Sequence, residues 1–350
     1  MKVFFRRIFW VCTLVSALLL SGCGRKETLQ LTAVDTAMGT VIQQSIYAVG
    51  EGEYTSRIKD MILQLEEGTL SWRLKSSELY KVNLAAGSAE SVELSQELSQ
   101  ILEQCLILSR DTEGAFDVTI GAVAQKWDID GWASGVRTGE FQAPDSSELS
   151  AALEQCGFQK VELQYKEDGE PAFISLEEGV ALDLGAIGKG VSLDRIREYL
   201  ETEVSVTGAV ISVGGSILTY GEKPDGTSWR VGIMDPFDTS RNLGVLTLTG
   251  TWCISTSGDY ERFVESCGVR YHHILDPFTG CPVDNELTSV TVLTDQGMLS
   301  DALSTACFVL GRERGLVLAQ QYGAEALFVE KDGSITMTSG MEGYVVFPIE

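Results

Sequence analysis

A chain of 350 residues that is 44% hydrophobic, 22% charged and 8% aromatic, with 36 Gly and 7 Pro, has the make-up of a folded globular protein. That composition excludes a collagenous, coiled-coil or intrinsically disordered chain. The 50 Asp and Glu outweigh 26 Lys and Arg to give a net charge of −24, and so acidic a surface repels phosphate backbones and anionic lipid headgroups, excluding a broad face for either. An anionic ligand would need a bound cation or aimed backbone N–H groups to offset the field.

The N-terminus reads as an address. Lys2, Arg6 and Arg7 precede an apolar run from Ile8 to Leu20, shorter than the roughly 20 residues of a membrane-spanning helix. Basic start and short apolar run together form a secretory signal. The run ends in Leu20-Ser21-Gly22-Cys23, which resembles the bacterial lipobox, in which the Cys is acylated and becomes the new N-terminus. The expected organisation is a signal peptide over 1–22, a lipidated tether over 23–30 and one folded domain over 31–350. Such a chain is expected on the outer face of the bacterial cytoplasmic membrane, held there by lipid on Cys23. Cys105, Cys156, Cys253, Cys267, Cys281 and Cys307 remain; an extracytoplasmic site permits disulfides, but the spacing specifies no pairing. With two His and no Cys-x-x-Cys, a zinc site has few ligands to draw on.

In chain order, Leu31 to Ala48 reads as strand, interrupted at Met38-Gly39. Ile58, Met61, Ile62 and Leu65 recur at helical spacing, as do Leu94, Leu98, Ile101 and Cys105. Gly131 to Ser147 is rich in Gly, Ser and Pro and reads as a surface loop, with Ser146 or Ser147 capping a following helix. From Val180 a strand, a Gly-rich turn and a helix through Leu193, Ile196 and Leu200 are expected. Strands follow near 209–213, 229–234, 243–249 and 289–294, then helix over 301–310 and 312–321, then strands at 326–329 and 344–347. No linker divides the chain, so the expectation is one α+β or mixed α/β unit with two lobes.

Four clusters carry candidate chemistry. In Val180-Ala-Leu-Asp-Leu-Gly-Ala-Ile-Gly-Lys-Gly190, glycines spaced G-x-x-G-x-G open a helix after Asp183. Free N–H groups at such a junction suit phosphate, although a tight turn needs no ligand. The only two histidines stand side by side in His272-His273-Ile-Leu-Asp276-Pro277-Phe-Thr279-Gly280, beside a turn. A lone His is usually structural, but imidazole is the side chain that takes a proton near neutral pH. Asp301 and Thr305, four apart, share a helix face and either offer hard oxygen ligands to Mg²⁺ or form an acidic helix start. Glu113-Gly114-Ala115-Phe116-Asp117 places an aromatic and an acid after a glycine turn, as ring-binding groups or as hairpin packing.

Together with Asp35-Thr-Ala-Met38-Gly39-Thr40, Val213-Gly-Gly215 and Thr256-Ser-Gly-Asp-Tyr260, these clusters occur in the order seen in the ApbE family of FAD:protein FMN transferases, which the chain resembles from about Leu31 to Phe347. The resemblance implies Mg²⁺-dependent transfer of FMN from FAD to a Thr or Ser hydroxyl of an acceptor protein bearing Asp-x-x-[Ser/Thr]-Gly-Ala-[Ser/Thr], with release of AMP. It implies His273 as the base that takes the hydroxyl proton. It implies Mg²⁺ on the Asp301 carboxylate, the Thr305 hydroxyl and the Ala186 carbonyl. For FAD the matching positions are Met38, Ala115, Phe116, Asp117, Asp183, Lys189 and Ile274.

Three positions depart from the family pattern. Arg73 stands where many relatives have a flavin-stacking Tyr, a contact Trp72 would have to replace. Ser216 stands where Asp or Asn is frequent, and Ser304 where some relatives place a second acid. Two other functions use the same residues: hydrolysis of FAD to FMN and AMP, and non-enzymatic FAD binding by a lipoprotein. An intact His273 and Asp301 disfavour pure binding, and both are needed by transferase and hydrolase alike.

Overall fold

The computed structural model describes residues 28–166, 169 and 171–348; the leader and Cys23 lie outside them. Eight strands form the central sheet: β1 (Thr28–Ala37), β2 (Thr40–Val49), β3 (Val206–Val213), β4 (Ser216–Gly221), β5 (Trp252–Gly258), β6 (Leu287–Thr294), β7 (Glu325–Glu330) and β8 (Ile335–Met337). They lie side by side in chain order and every neighbouring pair is antiparallel. The fold is therefore α+β, and the mixed α/β alternative does not apply. β1 begins inside the stretch expected to be tether.

Period-two alternation decides which layer each strand side chain joins. Ala209, Ile211, Val213, Val290, Val292, Ala326 and Phe328 face three helices. These are α1 (Tyr54–Gln64), α3 (Gly188–Thr202) and α4 (Gly297–Gln321, broken at Gly311, φ 77°), with α2 (Gln96–Asp111) in the second lobe. Ile254, Leu293, Leu327 and Val329 face the opposite way, against a small antiparallel layer of 229–235, 238–248 and 345–346. Covered on both sides, β6 is buried at every position. The second lobe, built from α2, short helices and a three-stranded sheet (92–93, 161–165, 171–176), shares one continuous apolar cluster with α4, so the two lobes fold on a common core.

The crossing of α3 and α4 fixes the site. A Cβ on Gly190 would lie 2.1 Å from the Gly297 carbonyl oxygen, and one on Gly297 would lie 2.2 Å from that of Gly190, so only glycine at both positions lets the backbones approach. Asp194 of α3 then accepts the first N–H groups of α4, from Gly297 and Met298, at 2.7 Å each, which satisfies orphan donors and complements the helix dipole. This clamp brings Lys189 and Gly190 against Asp301, one turn inside α4 and not at its start.

Several local expectations change. Asp183 is delivered by an extended segment that makes a single bridge, Ala181 to parallel Ile120, and not by a strand. The helix at Ser146–Leu153 is capped by Asp145, whose carboxylate accepts the Ser147 and Glu148 N–H groups, because an extended residue before the helix is the one positioned to cap it. The stretch 131–147 also contains the end of a helix, Ile129–Ala133. Strands β4 and β5 have no counterpart in the sequence reading; their small Ser, Thr and Gly residues hide a strand buried on both faces. Among the described residues no helix is long and apolar enough to cross a membrane. Cys105, Cys156, Cys253, Cys267, Cys281 and Cys307 are unpaired thiols.

Candidate active site

A cavity of about 170 Å³ lies where the lobes meet and adjoins a cleft of about 940 Å³. A pocket of roughly 300–1,000 Å³ takes a ligand of drug size, so the pair has room for a dinucleotide. Ala115, Phe116, Asp117, Ala186, His273, Ile274 and Thr305 line the cavity. Met38 lines the cleft, and Asp183 and Lys189 line both. Asp301 lines neither; it is 2% exposed and sits behind Lys189. Residues drawn from distant parts of the chain thus converge on one space.

The two histidines separate in role. His272 ends the strand Val269–His272, is buried against Phe308 and holds the Val283 carbonyl from Nε2 at 3.0 Å. His273, the next residue, faces the cavity. Its backbone N–H and its Nδ1 both meet the Arg262 carbonyl, at 3.0 and 3.2 Å. A carbonyl only accepts, so Nδ1 carries the proton and Nε2 keeps a free lone pair. Burial, then the Arg262 guanidinium, holds the imidazole well below its ordinary value, against the opposing pull of Asp130. Neutral His273 is a proton acceptor at physiological pH.

Asp130 organises the mouth. Its carboxylate takes Arg262 at 3.1 Å and Arg73 at 3.3 Å, and although burial raises its pKa, Arg262, His273 and Arg73 outweigh it and the net shift is downward. The Arg73 guanidinium also lies 4.0 Å over the Trp72 ring, so the two side chains form a stacked cation–π unit at the cleft. Asp130, Arg262 and Glu261 are site residues the sequence reading missed. Arg262 and Glu261 directly follow the Thr256–Tyr260 motif and were within reach, whereas Asp130 lies beside a stretch read as plain surface loop.

Asp117 lines the cavity, and its carboxylate is also bound to nearby backbone and hydroxyl groups. One carboxylate oxygen accepts the Thr119 N–H and hydroxyl at 2.8 and 2.6 Å, and the other accepts the Phe158 N–H at 2.9 Å. Its visible bonds fasten the 157–158 turn to the cavity wall. Asp183 accepts the Gly185 N–H at 2.8 Å, and burial pushes its carboxyl up. Met38 adopts φ 51° in the β1–β2 turn, where its N–H donates to Glu66 at 2.7 Å. Glu66 is held there by a π-helical turn, Leu65–Leu70, that continues α1, a distortion frequent at functional sites.

Asp301 has three partners. Gly190 N–H donates to Oδ2 at 3.0 Å, Ser216 Oγ to Oδ1 at 3.2 Å, and Lys189 Nζ lies 3.3 Å from Oδ1. Ser216 therefore touches the carboxylate expected to hold the cation. Ser304 bonds the Asp301 carbonyl at 2.9 Å and pairs with Ser257 Oγ, which also meets Thr305 Oγ1 at 3.2 Å. No group of three or more His, Cys, Asp or Glu converges among the described residues, so there is no all-carboxylate cage. The Asp301 carboxylate and Thr305 hydroxyl, four apart on α4, and the Ala186 backbone at the cavity wall are hard oxygens of the kind Mg²⁺ takes. Two acids, Asp301 and Glu261, share Lys189 as nearby cation, a local excess of negative charge that a divalent ion would neutralise. The residues fit such an ion.

Comparison with known proteins gives consistent matches. The family model described as "ApbE family" matches residues 38–328. A "FAD:protein FMN transferase" of Treponema pallidum is 33% identical over 332 residues, covering 91% of this chain and 89% of that protein. Another of that name, from Klebsiella pneumoniae, is 35% identical over 305 residues, covering 86% and 90%. The crystal structure of the ApbE protein from Thermotoga maritima superposes with a TM-score of 0.77 at 28% identity, covering 90% of this chain and 99% of that one.

Proposed function

The chain belongs to the ApbE family, and from that membership and the cavity at the lobe interface we infer that it is a FAD:protein FMN transferase. The acceptor group we propose is a Thr or Ser hydroxyl of a protein carrying Asp-x-x-[Ser/Thr]-Gly-Ala-[Ser/Thr]. Its oxygen attacks the FMN phosphorus, the P–O bond to AMP breaks, and AMP departs. The observation that carries this reading is the His273 ring, neutral, with Nδ1 committed to Arg262 and Nε2 free in the cavity. Nε2 takes the hydroxyl proton as the new P–O bond forms.

Mg²⁺ would be held by Asp301, Thr305 and the Ala186 carbonyl, and it supplies charge neutralisation for the pyrophosphate. Around it the chain's own residues position the substrate. Met38, Phe116 and Ile274 offer soft apolar contact to rings. Asp183 accepts hydrogen bonds on the border of cavity and cleft, and Lys189 presents an ammonium there. The Asp130–Arg73–Arg262 network holds the mouth in shape around the ligand.

The test uses the lipid-free chain from Gly24 onward with FAD, Mg²⁺ and an acceptor bearing the motif. The expected result is one FMN added to the acceptor, seen by intact mass and in-gel fluorescence, with equimolar AMP and loss of both in EDTA. AMP and free FMN with an unmodified acceptor would make the protein an FAD hydrolase; bound FAD with no AMP would make it a carrier.

We further propose that Cys23 carries lipid and holds the protein outside the cytoplasmic membrane, on the strength of Leu20-Ser-Gly-Cys23 after a basic and apolar leader. Radiolabelled palmitate should enter the wild-type protein and not Cys23→Ala, which should move from the membrane to the soluble fraction. Equal labelling of both would defeat the lipid assignment.

A further inference from the structure

One carboxylate in the site has no use in the mechanism above. Glu261 projects into the space shared by cavity and cleft. The residue is solvent-exposed, and among the described residues none of the hydrogen bonds or ion pairs around the site engages its carboxylate. Its Oε1 lies against the Gly215 backbone, 2.9 Å from where a Cβ on Gly215 would stand. The next residue, Ser216, donates to Asp301 Oδ1, the oxygen that also holds Lys189. Glu261 and Asp301 thus flank the Gly215–Ser216 step, and Lys189 lines the same space as Glu261.

This arrangement poses an electrostatic problem for any cation that joins Asp301. Lys189 Nζ stands 3.3 Å from Asp301 Oδ1, while the other oxygen is bound to Gly190 N–H. A divalent ion on this carboxylate would meet the ammonium at close range, and like charges a few ångströms apart in a partly desolvated site repel strongly. Lys189 must leave. The flexible four-carbon stem of a lysine permits such a move, and an unpaired carboxylate stands ready beside it. Burial raises the pKa of Glu261, and Lys189 is the charge that most opposes that rise.

We propose that Glu261 is a positioning residue that receives Lys189 when a divalent cation takes Asp301, so that cation entry is an exchange of partners between two carboxylates. The inference rests on the assignment of Asp301 to the cation. It makes Glu261 stabilise the cation-bound state through Lys189 and not through a bond to the ion. It also gives the resting site a built-in counter-ion, which keeps Asp301 from standing buried and unpaired before the cation arrives.

The experiment measures Mn²⁺ binding by electron paramagnetic resonance in four proteins without FAD: wild type, Glu261→Gln, Lys189→Met and the double variant. Thermal unfolding of each checks that the fold is intact. Glu261→Gln is expected to weaken Mn²⁺ about tenfold, since displaced Lys189 has no counter-ion. In the Lys189→Met background the same change is expected to alter affinity less than twofold, because nothing is left to receive. Equal weakening in both backgrounds would make Glu261 a ligand of the ion and overturn the exchange, as would no weakening in either. Wild-type protein that binds no Mn²⁺ would overturn the cation assignment itself, a failure visible before any variant is compared.

Discussion

Replacing Asp301 by Asn is expected to lower FMN transfer by a hundredfold or more while leaving the protein folded. The substitution keeps size and one acceptor oxygen, so either Gly190 N–H or Ser216 Oγ retains a partner. It removes the charge. A divalent ion held as proposed would lose its one carboxylate on α4, and Lys189 loses the counter-ion at 3.3 Å. Loss of one group that stabilises developing charge in a transition state costs about 10²–10³ in rate, and here the loss extends to the ion that supplies the rest. The freed ammonium lines an open cavity and is 19% exposed, so water relieves part of the penalty of a broken buried pair. Rate measured against Mg²⁺ concentration decides the matter. The variant should need far more Mg²⁺ for any residual turnover, and a wild-type Mg²⁺ response would remove Asp301 from the site.

The second large effect belongs to His273. His273→Ala should lose transfer by about 10²–10⁴-fold, the range for general-base catalysis, while FAD still binds, because the ring contacts come from other residues. The structure adds a pH signature. Burial and Arg262 depress the imidazole pKa, so the wild-type rate should show no acid limb centred on the ordinary value of 6.5; the limb should fall at lower pH. Stability carries the reverse bookkeeping of a paired His. The unfolded chain protonates near 6.5 and the folded one only well below it, so the unfolded state binds more protons between the two values. The contribution of His273 to stability is therefore whole above 6.5 and declines as pH falls beneath it. Urea midpoints at pH 7 and pH 5 should drop less for His273→Ala than for wild type. Unchanged turnover in the variant would strip His273 of the base role.

Much of this was legible along the chain. Strand hairpins such as 28–49 and the helices of 54–64, 96–111, 188–202 and 297–321 announce themselves by periodicity and turn residues, because a face that must be buried repeats at the period of its element. The histidine pair was distinguishable as chemical because the chain has only two imidazoles and sets them beside a turn. Within the pair, His272 and His273 could not be told apart by pattern. Alternation along the strand end turns one ring into the core against Phe308 and the other into the cavity, and only the packed structure shows which.

Other features have no local signal at all. Asp130 acts through Arg73 and Arg262, partners 57 and 132 residues away. Asp117 stands in its motif as a candidate ligand; one of its oxygens also holds the Phe158 N–H, a contact set by how a distant loop folds back. Glu261 is chemically conspicuous only because nothing reaches it.

The sequence by itself determined the family, the α+β mixture of elements, the acidic field that calls for a cation, and the identity of the residues able to take a proton or hold an oxygen-seeking ion. These follow from residue type and short-range spacing. Tertiary structure alone decided which of those groups are free to act. Where α3 and α4 cross at Gly190 and Gly297, Lys189 is pressed against Asp301 while Glu261 is left without a partner. Whether a charge is spent or available depends on partners far along the chain, and that is a property of packing.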